Sequence, residues 1–303
     1  MSRTWKLATV AAALLSLALP GCSGGPSSPD AAPALRISAI PDRDPAELGA
    51  REEAMAGYLA KALGVQVEYV PVTDYAASVS LFKTGDLDLV FYGGLTGVQA
   101  RRQVPDAALL AQRDIDEHFR SVFIAHARAG LAPVSSVAGL TALRGRRFTY
   151  GSESSTSGRL MPEYFLTQAG VDGERDFAGP PGYSGSHDKT VDLVESGSYE
   201  AGVLNAQVWQ DRVAAGTVDR DKVNAVYTTP PYHDYHWMAG PEVDERLGDG
   251  FTSRLGTALL DLDGSDAAET ELLERYGARS LVATAPGNYD QIEEIASELR
   301  LLP

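Results

Sequence analysis

The chain has 303 residues, 44% hydrophobic and 22% charged, which is enough for two domains of ordinary size with cores of their own. With 26 Lys and Arg against 41 Asp and Glu, the formal charge is -15, which excludes a nucleic-acid backbone as partner because that binding needs clustered cations. An anionic small ligand is not excluded, since surface charge is screened beyond about 8–10 Å in physiological salt. The basic group Arg144, Arg146 and Arg147 and the pair Arg101 and Arg102 read as solvated helix ends.

At the N-terminus, Arg3 and Lys6 precede an apolar run, residues 7–19, that is too short to span a bilayer. Leu19-Pro20-Gly21-Cys22 follows and resembles a bacterial lipobox, with Pro20 as a departure. Cys22 is the sole cysteine, so no intrachain disulfide can form, and acylation is the use of a lone thiol that fits an exported chain. The expectation is a signal peptide over 1–21, a lipid on Cys22, and a flexible Gly/Ser/Pro tether over 22–33. The protein would then sit on the outer face of the cell membrane. A plain signal peptide with a chance cysteine is the alternative.

Residues 35–40 read as a buried strand ended by Pro41. Helical spacing of Leu48, Met55, Leu59 and Leu63 predicts a helix over 44–63, with Asp44 as cap and Gly64 as stop. A strand over 65–72, a helix from a Thr73 or Asp74 cap to Lys83, a strand over 87–92 and a helix opened by Gly93-Gly94 come next. This alternation predicts a parallel sheet with right-handed crossovers. A second set begins near Arg120. It has strands over 121–126, 147–150, 202–204 and 223–227, and helices over 137–143, 156–169, 187–195 and 206–214. A strand over 235–239 and a helical tail from Val243 complete the pattern. The expected fold class is α/β with two lobes: residues 34–120 with 231–303, and residues 121–230 inserted between them. The chain would cross near Arg120 and return near Pro231, a two-segment hinge suited to closure.

The chemistry concentrates in Gly151-Ser152-Glu153-Ser154-Ser155-Thr156-Ser157-Gly158, between a predicted strand and a predicted helix. Free N–H groups and the positive end of the helix dipole converge there, and the hydroxyls of Ser154, Ser155, Thr156 and Ser157 could complete a shell of neutral donors for a tetrahedral anion. The same residues also make ordinary helix caps. No Gly-Lys-Ser/Thr follows, so the segment is not a P-loop. Tyr75, Tyr92 and His187 fall at element ends facing the presumed cleft, where ligands of open α/β sheets sit.

The segments Val72-Thr73-Asp74-Tyr75-Ala76-Ala77, Phe91-Tyr92-Gly93-Gly94-Leu95, Ser154-Ser155-Thr156-Ser157-Gly158 and Gly185-Ser186-His187-Asp188 occur in an order and spacing similar to those of the phosphate-, phosphite- and phosphonate-binding proteins of ABC importers. The resemblance runs from about residue 35 to about residue 240 and comes nearest to a selenate-binding branch. It implies a type II periplasmic-binding-protein fold, with ligand contacts from Tyr75, Tyr92, Ser155, Thr156, Ser157 and His187, and an acid at Asp234 that accepts a proton from the ligand. It also implies a monomer working with a transmembrane permease and its ATPase, without cofactor or catalysis. Pro231-Tyr232-His233-Asp234-Tyr235-His236 departs from the phosphonate-binder pattern around that acid.

The substrate turns on Asp234. A carboxylate facing an anion at about 4 Å costs roughly 4 kcal/mol at an effective dielectric near 20 unless a proton lies between them. Phosphate, phosphite and phosphonates can bring that proton, whereas selenate and sulfate cannot. If Asn205 supplied an amide donor instead, the latter pair would fit. Other readings are a metal receptor using His118, His126, His187, His233 or His236, an organic-solute receptor or sensor of the same fold, and a serine hydrolase built on Ser155, His187 and Asp188. The hydrolase lacks a Gly-x-Ser-x-Gly elbow.

Overall fold

The computed structural model describes residues 33–302; the expected signal peptide, Cys22 and nearly all of the tether lie outside the described residues. Strand β1 (Leu35–Ala39) is the apolar run LRISA and is buried along almost its whole length. Helix α1 (Pro45–Leu63) starts where Asp44 accepts the N–H groups of Ala46 and Glu47, and stops at Gly64, whose φ of 70° is the left-handed cap that glycine adopts without a Cβ clash. Its buried face carries Leu48, Met55 and Leu59, each stabilising the fold by about 1.5–3 kcal/mol. Strand β2 (Val67–Tyr69) is shorter than the alternation over 65–72 suggests. Helix α2 (Tyr75–Lys83) is capped by Asp74, β3 (Leu89–Tyr92) is fully buried, and α3 (Gly94–Gln103) follows at once.

Strand β4 (Ala108–Arg113) was not expected from sequence. Its last residues are polar, with Gln112 buried against groups distant in the chain and Arg113 against a nearby acid. Gln112 accepts from Thr284 and Tyr289, and Arg113 pairs with Asp116. Strand β5 (Ser121–His126), β6 (Phe148–Tyr150), helix α4 (Met161–Gln168), β7 (Gly182–Tyr183), α5 (His187–Glu195), β8 (Ala201–Asn205), α6 (Ala206–Ala214) and β9 (Val223–Thr228) form the middle of the chain. The remainder is β10 (His236–Ala239), α7 (Val243–Leu247), α8 (Phe251–Leu260), α9 (Ala267–Arg275), β11 (Leu281–Val282) and α10 (Asp290–Glu298).

The strands form a six-stranded sheet, β11-β4-β10-β3-β1-β2, and a five-stranded sheet, β7-β6-β8-β5-β9. The first is not purely parallel as the opening alternation suggests. Strands β2 and β3 lie parallel to β1, but β10 enters antiparallel beside β3 and β4 antiparallel beside β10. The reason is connectivity, because β10 is delivered directly by the chain returning from the second sheet and needs no crossover helix. The second sheet is likewise mixed, with β5 antiparallel to both its neighbours.

The two strands of chain that join the sheets run side by side. Phe119 and Tyr232 exchange backbone hydrogen bonds of 2.9 and 3.0 Å, an isolated antiparallel bridge between the crossings. Behind β10, the ring of His236 lies 4.3 Å from that of Tyr289 and presses on Gly97 of α3. A Cβ on Gly97 would overlap the buried His236 ring. Gly97→Ala is therefore expected to destabilise the protein by about 1–3 kcal/mol, read as a lowered midpoint in thermal denaturation; an unchanged midpoint would show that His236 moves freely.

Candidate functional site

The site begins at the turn after β6. Gly151 N–H donates to the Gly158 carbonyl at 2.8 Å, folding the hydroxyl-rich segment back on itself. A Cβ on either glycine would stand 3.0–3.1 Å from the other's Cα, so a side chain at either position would force this turn to give. Ser155 caps the helix by accepting Gly158 N–H at 2.9 Å. The first turn, Thr156–Leu160, is a π-turn rather than the plain α-helix expected, with Leu160 N–H reaching back to the Ser155 carbonyl at 3.0 Å. Such widened turns occur mostly at functional sites.

This helix start meets the start of α3 from the other sheet. Leu95 N–H donates to Thr156 Oγ1 at 3.0 Å, Thr96 Oγ1 donates to the Ser154 carbonyl at 3.0 Å, and Gly94 N–H donates to Asp234 Oδ1 at 2.9 Å. Helix α5 is joined to the loop after β1 in the same way. His187 N–H donates to the Asp42 carbonyl at 2.9 Å, and Asp44 N–H donates to Asp188 Oδ2 at 2.9 Å. Ser155, Thr156, Ser157, Tyr75, His187 and Asp234 are all buried.

Several polar atoms enclosed here make no hydrogen bond among the described residues: Tyr75 Oη, Ser157 Oγ, His187 Nε2 and Asp234 Oδ2. Ser155 and Thr156 use their oxygens as acceptors, and their hydroxyl groups also stand against Tyr75 and Asp234 respectively. Asn205 N–H donates to His187 Nδ1 at 3.3 Å, which puts the proton of a neutral imidazole on Nε2. The imidazole is neutral because burial pushes its pKa down to about 4, with the Asp42 charge only partly opposing. Burial, and after it the Asp42 charge, push the Tyr75 phenol well above its ordinary value, so it too is a neutral donor. Burial pushes Asp234 up to about 7, against the Gly94 N–H and Thr156. The arrangement is a set of neutral donors facing one carboxyl that can hold or release a proton near neutrality.

Tyr92, Ser154 and Asn205 are placed differently from that set. Tyr92 donates its hydroxyl to the Ser78 carbonyl at 2.9 Å and packs edge-on against Phe82, so its donor is engaged within the first sheet's core. Ser154 contributes its carbonyl to Thr96, while its side chain lines a surface groove with Glu153, Lys83 and Arg300. Asn205 caps α6 through Oδ1 and donates Nδ2 to the Tyr235 hydroxyl at 3.4 Å.

Asp42, Ser121, Tyr232 and Tyr235 escaped the sequence reading. Tyr232 and Ser121 share a 2.6 Å hydroxyl contact, and Ser121 donates to the Ser157 carbonyl at 2.8 Å, bracing the helix start. Tyr235 donates to Asp42 Oδ2 at 2.8 Å. The one signal in the sequence was the tyrosine pair flanking Asp234. Of the histidines, His236 is buried on Tyr289, and no cluster of three His, Cys, Asp or Glu side chains among the described residues could hold a metal ion.

Residues 37–289 match the model of the periplasmic substrate-binding protein family of phosphonate ABC transporters. The chain belongs to that family. Among phosphonate-binding relatives, the probable ABC-transporter phosphite-binding protein PhnD1 of Prochlorococcus marinus (strain MIT 9301) is 43% identical, over 88% of this chain and 89% of its own. The structure of PhnD1 in complex with methylphosphonate superposes with a TM-score of 0.86, covering 88% of this chain and 98% of that one. The phosphate-import protein PhnD of Mycolicibacterium smegmatis is 24% identical over 96% of this chain and 94% of its own. The aliphatic sulphonate-binding protein SsuA of Escherichia coli, at 15% identity and a TM-score of 0.57, covers 91% of this chain and 89% of its own and shares the fold alone. The architecture is the type II periplasmic-binding-protein fold. No helix among the described residues is long and apolar enough to cross a membrane.

Asp234 makes this family member's stability depend on pH with a defined sign. Its carboxyl titrates near 7 when folded and in the ordinary carboxylate range when unfolded, so the folded state holds the extra proton. The Asp234 contribution is therefore favourable at low pH and is lost as pH rises from about 4 through about 7. Asp234→Asn should raise the melting midpoint relative to the unsubstituted, ligand-free protein at pH 8 and much less at pH 5. An equal difference at both values would mean that Asp234 does not titrate in this range.

Proposed function

We propose that the chain is the solute-binding component of an ABC importer and captures a small phosphorus oxyanion, such as a phosphonate, phosphite or phosphate, between its two lobes. The observation that carries this reading is the Asp234 carboxyl enclosed among neutral donors with Oδ2 unpartnered. Tyr75, Ser155, Thr156, Ser157 and His187 offer protons to the oxygens of a tetrahedral anion. Asp234 offers a place for the one proton that such an anion carries near neutrality, which turns a repulsive contact into a hydrogen bond. The methylphosphonate complex of PhnD1 supports the same class of ligand. Tyr92, Ser154 and Asn205 act indirectly in this reading, through packing, the interlobe clasp and the orientation of His187.

The lobes are residues 34–120 with 231–303, and residues 121–230, closing about the paired crossings at Phe119 and Tyr232. The protein works as a monomer, delivers its ligand to a permease driven by an ATPase, and catalyses nothing. A lipid on Cys22 holds it to the outer face of the bacterial cell membrane. Replacement of Cys22 by Ala should release the protein from membranes; retention in the membrane fraction would remove the anchor from this account.

A fully ionised oxyanion such as selenate or sulfate fits the same donors only when Asp234 itself carries the proton. Calorimetric titration at pH 6 and pH 9 is therefore expected to show methylphosphonate or phosphite bound more tightly than selenate, with affinity falling as pH rises. Ser157→Ala should weaken that binding by about 1–3 kcal/mol, the size of a buried donor lost to a charged acceptor. Selenate or sulfate bound as tightly as the phosphorus species would overturn the choice of ligand, and full affinity in a Ser155→Ala/Thr156→Ala/Ser157→Ala protein would overturn the site.

A further inference from the structure

Asp42 has no place in the reading above, yet it is among the most enclosed carboxylates of the molecule, 1% exposed and immediately behind the donors. Its Oδ2 takes the Tyr235 hydroxyl at 2.8 Å, and its main-chain carbonyl takes His187 N–H at 2.9 Å. Its Oδ1 makes no hydrogen bond. The cations around it stand off: Arg43 Nε is 3.9 Å and Arg51 Nη2 is 4.0 Å from Oδ1. Arg51 is itself bound at 2.7 Å to Glu52, and its guanidinium lies over the Tyr276 ring. The Asp42 carboxylate is thus an ionised group whose counter-charges are shared or loosely held. Burial opposes its ionisation, but the Arg51 and Arg43 charges outweigh that and hold its pKa below the ordinary carboxylate value. Its field reaches Tyr75, Tyr235 and His187, all at the cleft.

A receptor for anions has no evident use for a permanent negative charge at this place if attraction is its only requirement. Asp234 can meet an anion by exchanging a proton, whereas Asp42 stays charged throughout. A fixed charge in a medium of low dielectric repels a dianion about twice as strongly as a monoanion at the same point. We propose that Asp42 is a specificity-determining residue, a fixed negative charge behind the donors that makes the site prefer singly charged, protonated oxyanions to fully ionised ones. The inference rests on the oxyanion reading above. Asp42 does this without touching the ligand, through the field it adds at the Tyr75, Tyr235 and His187 wall.

The test is calorimetric titration of the full chain in detergent with methylphosphonate and with selenate at pH 6, where the first is mainly a monoanion and the second a dianion. The unsubstituted protein should prefer methylphosphonate. Asp42→Asn keeps the shape and an acceptor for Tyr235, and should shift the ratio of the two affinities towards selenate by on the order of tenfold. Arg43→Gln, on a side chain at the edge of the cluster, strips a counter-charge from Asp42 and should shift the ratio the other way. A merely structural role predicts that both ligands weaken by the same factor in Asp42→Asn, and that result overturns the proposal. If Asp42→Asn does not fold, a ratio in Arg43→Gln that is unchanged or moves towards selenate overturns it instead. Unsubstituted protein that binds neither oxyanion overturns the reading beneath, and the inference falls with it; that outcome is seen before any variant is compared.

Discussion

Polar groups shut away from solvent without partners are the constraint on which this molecule turns. The desolvation of an unpaired hydroxyl or imidazole costs about 1–3 kcal/mol, and that of a carboxylate costs more. Tyr75, Ser157, His187 and Asp234 carry such atoms near the junction at which the start of α3 is hydrogen-bonded to the segment after β6. Some other buried polar groups are paired closely, as with Arg113 and Asp116, whose fork-to-fork contact also takes Gln207 and the Tyr276 carbonyl, while Gln112 Nε2, Tyr150 Oη and Trp237 Nε1 also lack a partner among the described residues. In the proposed reading the unpartnered atoms at the junction complete their hydrogen bonds with the ligand. A tetrahedral oxyanion would supply the missing acceptors, and neutral donors would let it go again.

The rest of the architecture holds these donors at that spacing. The starts of α3 and α5 are tied to groups far away in the chain. The N–H groups at the beginning of α3 are taken by Thr156 and Asp234, and that at the beginning of α5 by the Asp42 carbonyl. In the proposed reading, a ligand-facing residue such as Thr156 doubles as part of the clasp between lobes, which would couple closure to recognition. The crossings at Phe119 and Tyr232 are hydrogen-bonded to each other, and in the proposed two-lobe reading such paired segments would permit bending but resist sliding.

Charge is handled in two ways at this junction. Asp234 sits on the return crossing among donors and titrates near neutrality, whereas Asp42 sits among arginines and stays ionised. Tyr235, adjacent to one and hydrogen-bonded to the other, joins them. The acidic exterior of the protein has little bearing on either, since both carboxylates lie beneath the screened surface.

Much of this was readable in the residues themselves. Caps and stops such as Asp44, Asp74 and Gly64 act through neighbours two to four positions away, so the helices they bound emerge from local pattern, and α5 and α6 coincide with expectation residue for residue. The hydroxyl segment ahead of α4 and the acid at Asp234 were legible because their order along the chain resembles a known family. Only the tertiary structure decided the rest. Strand β4 ends in Gln112 and Arg113, which are met by Tyr289 and Thr284 and by Gln207 and the Tyr276 carbonyl, and the antiparallel place of β10 depends on where the chain returns. Tyr92 reads like a ligand donor in sequence, but its hydroxyl meets the Ser78 carbonyl, and Asp42 reads like a loop acid but lies buried against Tyr235 and the arginines. Local pattern set most of the elements and the types of donor present, because those follow from contacts within a few residues. Which hydroxyls face the cleft, and which carboxylate can keep a proton there, are set by partners up to about two hundred residues away, and only the folded chain brings these together.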